Sequence, residues 1–180
     1  MDTSAGADLT RPGRALPGNG SGQGAGRSVE WALRPAEQAD VEVIAELRAT
    51  VMRPDLERLG RFDERRVRRR LRESFFPGHT SVVIVDGDFA GCVTLRPAED
   101  GLWLEHFYLV PDLQGRGLGS AVLRAQLDRT DADRLPVRLN VLQGSAARRL
   151  YERHGFTVEV QDPIDVFMVR RPVRDEEVRS

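Results

Sequence analysis

The sequence predicts an α/β fold, a mixed central sheet of about seven strands flanked by about four helices. Three observations predict it. Short apolar runs with the period of a strand alternate with longer stretches whose apolar residues recur every three or four positions. Asp86-Gly87 stands between two such runs as a tight hairpin signal. A glycine-rich turn, Gln114 to Ser120, follows an aromatic and aliphatic run and leads into an amphipathic stretch, the pattern of a strand entering a helix.

The elements follow in order. Residues Met1 to about Arg27 are rich in Gly, Ala, Ser and Pro, and nearly free of large apolar groups. They cannot bury enough surface to offset the entropy of ordering, so 1–27 reads as a disordered tail. One domain spans 28–173, and 174–180 is a charged C-terminal tail. Val29–Arg34 reads as a first strand. Pro35 to about Met52 reads as a helix with Val41, Ile44, Ala45 and Leu47 on its apolar stripe, interrupted at Pro54. A second helix covers Asp63–Ser74, with Asp63 as N-cap, Val67 and Leu71 as a thin apolar face, and arginines over the remainder. Ser81–Val85 and Phe89–Leu95 are the two arms of the hairpin, and Asp100-Gly101 marks the next turn. Leu102–Val110 is a strand broken only by Glu105 and His106. Helix Gly117–Asp128, strand Pro136–Val141, helix Ala146–His154, strand Phe156–Val160 and strand Asp165–Arg170 complete the chain.

Composition excludes several function classes. All 27 basic residues are arginine, so neither a Schiff-base lysine nor a Walker-type phosphate lysine exists here. The formal net charge of -1 gives no global pull toward nucleic acid or an anionic membrane. Cys92 is the only cysteine, so no intrachain disulfide forms, and a reducing cytoplasm is the expected location. No apolar run approaches the roughly 18 residues of a membrane span, and the N-terminus has no signal-peptide core. No metal-ligand constellation is expected.

The turn carries the chemistry. The first amides of a helix lack internal partners and sit at the positive end of its dipole, which makes an anion site. Gly115, Gly117 and Gly119 remove the Cβ atoms that would keep a phosphate from the backbone. A Walker A loop needs lysine. A dinucleotide fingerprint needs a third glycine where Ser120 stands. Gln114-x-x-Gly117-x-Gly119 after a strand instead matches the Q/R-x-x-G-x-G/A signature of the GNAT superfamily of acyl-CoA N-acyltransferases. Leu104 to Pro111 resembles that family's fourth strand, and Leu139 to Phe156 its fifth strand, fourth helix and closing Gly-Phe. The resemblance covers about 28–172 and is strongest from 102 to 156.

The resemblance implies a GNAT fold and an N-acetyltransferase that moves an acetyl group from acetyl-CoA to a primary amine by direct attack in a ternary complex. The backbone of Gln114, Gly115, Arg116, Gly117, Leu118, Gly119 and Ser120 would hold the pyrophosphate. The backbone of Phe107, Tyr108, Leu109 and Val110 would face the pantetheine arm and the thioester carbonyl. Tyr151 matches the family tyrosine near the sulfur and would protonate the departing thiolate. Ser145 stands where many relatives carry a cofactor-contacting asparagine; it can equally cap a helix. Glu105 is the candidate base for the amine, placed by alternation on the opposite face from His106 and with a pKa expected to rise by desolvation; a structural carboxylate paired with an arginine is the competing reading. His106 is expected to pack against a helix, and Cys92 to be a small core residue. No Ser-His or Cys-His arrangement is evident. The acceptor is a small-molecule or peptide amine, and the arginines hint at an acidic one. Paired subunits are common in the family, so a homodimer is the assembly suggested. A non-catalytic acyl-CoA-binding domain and a nucleotide-binding protein are the rival readings.

Overall fold

The structure is a computed structural model that describes residues 29–172; the two tails expected at 1–27 and 174–180 lie outside the described residues. Seven strands form one sheet in the order β1-β2-β3-β4-β5-β7-β6. They are β1 Trp31–Pro35, β2 Thr80–Val85, β3 Asp88–Ala98, β4 Gly101–Leu109, β5 Val137–Leu142, β6 Thr157–Gln161 and β7 Asp165–Arg170. Four helices cover it: α1 Val41–Arg58, α2 Glu64–Ser74, α3 Leu118–Ala132 and α4 Ala147–Arg153. Neighbouring strands are antiparallel except β4 and β5, which run parallel. The Asp86-Gly87 hairpin forms as read, with φ of 50° and 91°, the left-handed pair that a two-residue I′ turn requires.

The strands alternate as a two-faced sheet demands. Val82 and Cys92 join Ile44, Ala45 and Leu71 in the core under α1 and α2. Val83, Val93, Val122, Leu123 and Tyr151 join the larger core under α3 and α4. Cys92 is fully buried, its thiol pushed up to about 12 by that burial, and its Sγ sits 3.0 Å from the His106 carbonyl; it is the packing residue expected.

Two helix boundaries differ from expectation. Pro35 ends β1, and a short 3₁₀ turn, Gln38–Asp40, precedes α1, pinned by the paired contacts of the Arg34 guanidinium with Asp40 at 2.8 Å. Nor does Pro54 stop α1, which runs on to Arg58. Proline removes only the bond to the Thr50 carbonyl, and Thr50 and Pro54 are both exposed, so water can take the orphaned acceptor. The Asp63 cap is as read: its carboxylate accepts from the Arg66 amide at 2.9 Å.

Two irregularities position the site. Thr94 pairs with Glu105 but Cys92 pairs with Tyr108, so β4 holds one residue more than β3 between those rungs. His106 sits at this bulge with φ of 48°. The bulge shifts the alternation: Leu102 and Leu104 face the α3/α4 core before it, Phe107 and Leu109 after it. Before it, β4 and β5 pair only at Leu102–Val137 and Trp103–Arg138, and from there they part.

Candidate active site

The turn between β4 and α3 stands open. Gly115 and Gly117 have φ of 72° and 85°, a region that bulky residues avoid, and a Cβ built on either would meet no atom within 4 Å. Among the described residues, no backbone carbonyl takes the amides of Gly115 through Ser120. The chain is therefore left with a row of unpaired donors at the head of α3. Gln114 contributes differently: its amide donates to the Pro111 carbonyl at 3.1 Å, and its side-chain Nε2 donates to the Leu109 carbonyl at 2.9 Å. It braces the turn against β4 rather than offering a free amide. Gly119 also departs from expectation. A Cβ there would lie 3.5 Å from Leu109 Cδ1 and 3.6 Å from Leu150 Cδ2, ordinary packing distance, so its missing side chain faces the core. The Leu118 side chain is buried and that of Arg116 is exposed, so either could reach a ligand at this turn chiefly through its amide.

From the turn, a cavity of about 1120 Å³ extends between the parted β4 and β5 to the inner faces of α1 and α2. Glu105 to Leu109 form one wall and Asn140 to Leu142 the other, with Ser145 and Tyr151 at the α4 side. Val110 lies at the strand end, where its amide donates to the Ala90 carbonyl at 2.9 Å. Ser145 Oγ accepts from the Ala147 amide at 3.3 Å, so it caps α4 while also lining the cavity.

Tyr151 is 7% exposed, its ring edge-on to Phe156 at 5.7 Å, and its hydroxyl has no hydrogen-bond partner among the described residues. Burial pushes its phenol well above the ordinary value, with Tyr108 adding to the rise, so it stays protonated.

The bulge overturns the expected alternation of Glu105 and His106. Glu105 is paired with Thr94 and reaches Arg96 on the same face, while His106 reaches α1 and α2, so both lie on the α1/α2 side. Arg96 Nε donates to Glu105 Oε1 at 2.8 Å; Oε2 has no partner among the described residues. Glu105 is thus at once an arginine-paired carboxylate and a member of the cavity wall.

His106 is packed between helices as expected. Arg48 Nη1 lies 3.2 Å from its Nδ1, and Ser74 Oγ 3.0 Å from its Nε2. Arginine can only donate, so Nδ1 accepts and Nε2–H donates to Ser74. Burial first, then Arg48 and Arg96, lower the imidazole from 6.5 to about 4. This gives a prediction. Between those values the unfolded chain binds a proton that the folded one refuses, so stability falls as pH drops from about 6.5 to 4 and is fully present above. The loss approaches about 3 kcal/mol. Urea unfolding followed against pH should show this slope, and His106→Asn should flatten it.

Sequence reasoning missed one pair. Ser120 Oγ lies 2.6 Å from His154 Nε2, tying the first turn of α3 to the end of α4. Burial first, and then the charges of Arg124, Arg153 and Arg170, lower the pKa of His154. Those neighbours are cations, whereas an activating triad orients its histidine with an acceptor such as a carboxylate; the contact reads as a brace. The i, i+34 separation carried no sequence signal for it.

Residues 77–158 match the model of the acetyltransferase (GNAT) domain. No curated protein matches the sequence. Among solved structures, the chain is similar to the PaiA N-acetyltransferase of Thermoplasma acidophilum in complex with coenzyme A, with 19% identity, a TM-score of 0.65, and coverage of 79% of this chain and 99% of that one. It is also similar to the ribosomal-protein-S18-alanine N-acetyltransferase of Escherichia coli (19%, TM-score 0.57, 81% and 97% covered). A third is the N-acetylglutamate synthase of Neisseria gonorrhoeae with coenzyme A and L-arginine (21%, TM-score 0.55, 80% and 34% covered).

Proposed function

We propose that this chain, which carries an acetyltransferase (GNAT) domain over residues 77–158 on the GNAT fold, transfers the acetyl group of acetyl-CoA to a primary amine by direct attack. The observation that carries the reading is the continuity of one cavity. It begins at the unpaired amides of the α3 turn, runs between the parted strands, and reaches Tyr151 and Glu105.

The diphosphate of the donor takes the amides of Gly115 through Ser120, where dipole and open donors favour an anion. The pantetheine arm lies against Phe107 to Leu109. The amine gives a proton to Glu105 Oε2, directly or through water, and its nitrogen bonds to the thioester carbonyl carbon. The carbon–sulfur bond then breaks, and the thiolate takes the Tyr151 proton. The second proton leaves the new amide nitrogen to restore the Tyr151 phenol through water, and Glu105 returns its proton to solvent. A thiolate released in this desolvated cleft is itself made more basic by burial, which helps a high-pKa phenol give up its proton.

The deciding experiment is thiol release from acetyl-CoA across a panel of primary amines, with mass spectrometry of the product. Amine-dependent release supports transfer. Coenzyme A binding without release for any amine points instead to a binding domain. Glu105→Gln should lower kcat/KM by about 10²-fold or more with the loss shrinking at high pH, where free amine is plentiful; a loss independent of pH would remove its role as base.

A further inference from the structure

The α1/α2 end of the cavity is lined by more cationic charge than the protein neutralises. Five arginines line the cavity, Arg48, Arg61, Arg66 and Arg70 on the α1/α2 side and Arg153 on α4. Among the described residues none has a carboxylate within 4.0 Å, although many other arginines do. The α2 arginines divide by direction. Arg68 and Arg72 pair with Glu46 and Glu42 of α1, and Arg69 with Glu73, while Arg66 and Arg70 line the cavity. The carboxylates on the cavity wall are already engaged. Asp55 holds Arg58, Glu105 holds Arg96, Asp165 accepts from Asn140, and Asp162 accepts two backbone amides.

Arg48 is the most specific of the five. Its Nη1 is spent on His106 Nδ1 at 3.2 Å and Tyr108 Oη at 2.9 Å, which fixes the plane of the guanidinium. Its Nε is buried with no partner, and Nη2 makes no hydrogen bond among the described residues. Nε and Nη2 form the side-on edge of a guanidinium, the edge that pairs with both oxygens of one carboxylate. A buried donor without a partner costs stability unless a ligand satisfies it. Arg48 is among the residues lining the cavity that holds Glu105 and Tyr151.

We infer that the acceptor is a primary amine whose own scaffold carries a carboxylate, bound by the Arg48 guanidinium with Arg66 and Arg70 supplying the surrounding positive field. This rests on the acetyl-transfer reading above and narrows its substrate class. The same chemistry is offered by a free amino acid and by a short acidic peptide, and the experiment separates them.

Thiol release from acetyl-CoA is measured with the full chain on matched amines: glutamate, its dimethyl ester, its diamide, an aspartate-rich tripeptide, and spermidine. The expected result is kcat/KM about 10- to 100-fold higher for the acid than for its ester or amide, the span of a charge-assisted pair. Glutamate ahead of the tripeptide assigns the free amino acid; the reverse order assigns the peptide. Arg48→Gln should bring the acid-to-ester ratio toward one. Arg66→Gln/Arg70→Gln, on the exposed helix, should lower the ratio and make it less sensitive to salt. Esters or spermidine turned over as well as the acid by the wild-type protein would overturn the inference and leave acetyl transfer standing. An undiminished ratio in a folded Arg48→Gln protein would overturn it too. Release with no amine at all would sink the transfer reading itself.

Discussion

Tyr151→Phe lowers amine-dependent thiol release by roughly 10- to 1000-fold and leaves coenzyme A affinity nearly unchanged, the effect of removing a general acid. The substitution is close to isosteric. The ring keeps its edge-on contact with Phe156, and among the described residues the hydroxyl makes no hydrogen bond whose loss could disturb the fold. Stability should hold, because the hydroxyl is not among the buried polar atoms left without a partner and the residue lines the cavity. A scaffold tyrosine would show the opposite pattern, with unfolding shifted and turnover intact. Leaving-group dependence sharpens the test. A thioester of a more acidic thiol needs less help from a proton donor, so it should lose less activity in Tyr151→Phe than acetyl-CoA does. Steady-state thiol release with both donors, beside calorimetric coenzyme A titration, reads all of these outcomes. Equal turnover by mutant and parent would remove Tyr151 from the mechanism.

Gly117→Val should weaken coenzyme A binding by at least about tenfold while the protein remains folded. A left-handed backbone costs an ordinary residue roughly 1–2 kcal/mol, and a β-branched one more, so the turn relaxes away from the conformation that aligns its amides. The new side chain also fills the open space at the glycine. Gly119→Ala is the control. Its Cβ would enter ordinary contact with Leu109 and Leu150, its backbone is helical, and alanine favours the helix. The control should bind coenzyme A as the parent does and unfold at equal or higher temperature. A similar loss in both variants would mean that the glycines serve only packing, and the diphosphate assignment would fall.

The sequence made the scaffold legible because its signals are local. Asp86-Gly87 fixes a hairpin, Asp63 caps α2, and alternation sets the faces of β2 and β3, all within a few residues. The turn at 114–120 was equally readable, since unpaired amides follow from the start of any helix. What failed was whatever depended on a partner far along the chain. The bulge at His106 is a mismatch between β4 and β3, so strict alternation put Glu105 on the wrong face relative to His106. Pro54 looked like a stop because its cost was read without knowing that Thr50 faces water. Ser120 and His154 meet only because α3 and α4 pack side by side. The division of the arginines between ion pairs and cavity wall likewise required Glu42 and Glu46 to be placed opposite α2.

The parting of β4 from β5 after two rungs has a consequence for self-association. Strands that separate expose backbone donors and acceptors, and such rows invite foreign strands to add on. Here the open rows face each other inside a cleft walled by helices. An incoming polypeptide would have to thread side chains on both of its faces into that slot. A slender chain with amide groups and only small branches near one end meets no such obstacle. The recess proposed to admit the donor's arm therefore also keeps this stretch of unpaired backbone from pairing with a foreign strand.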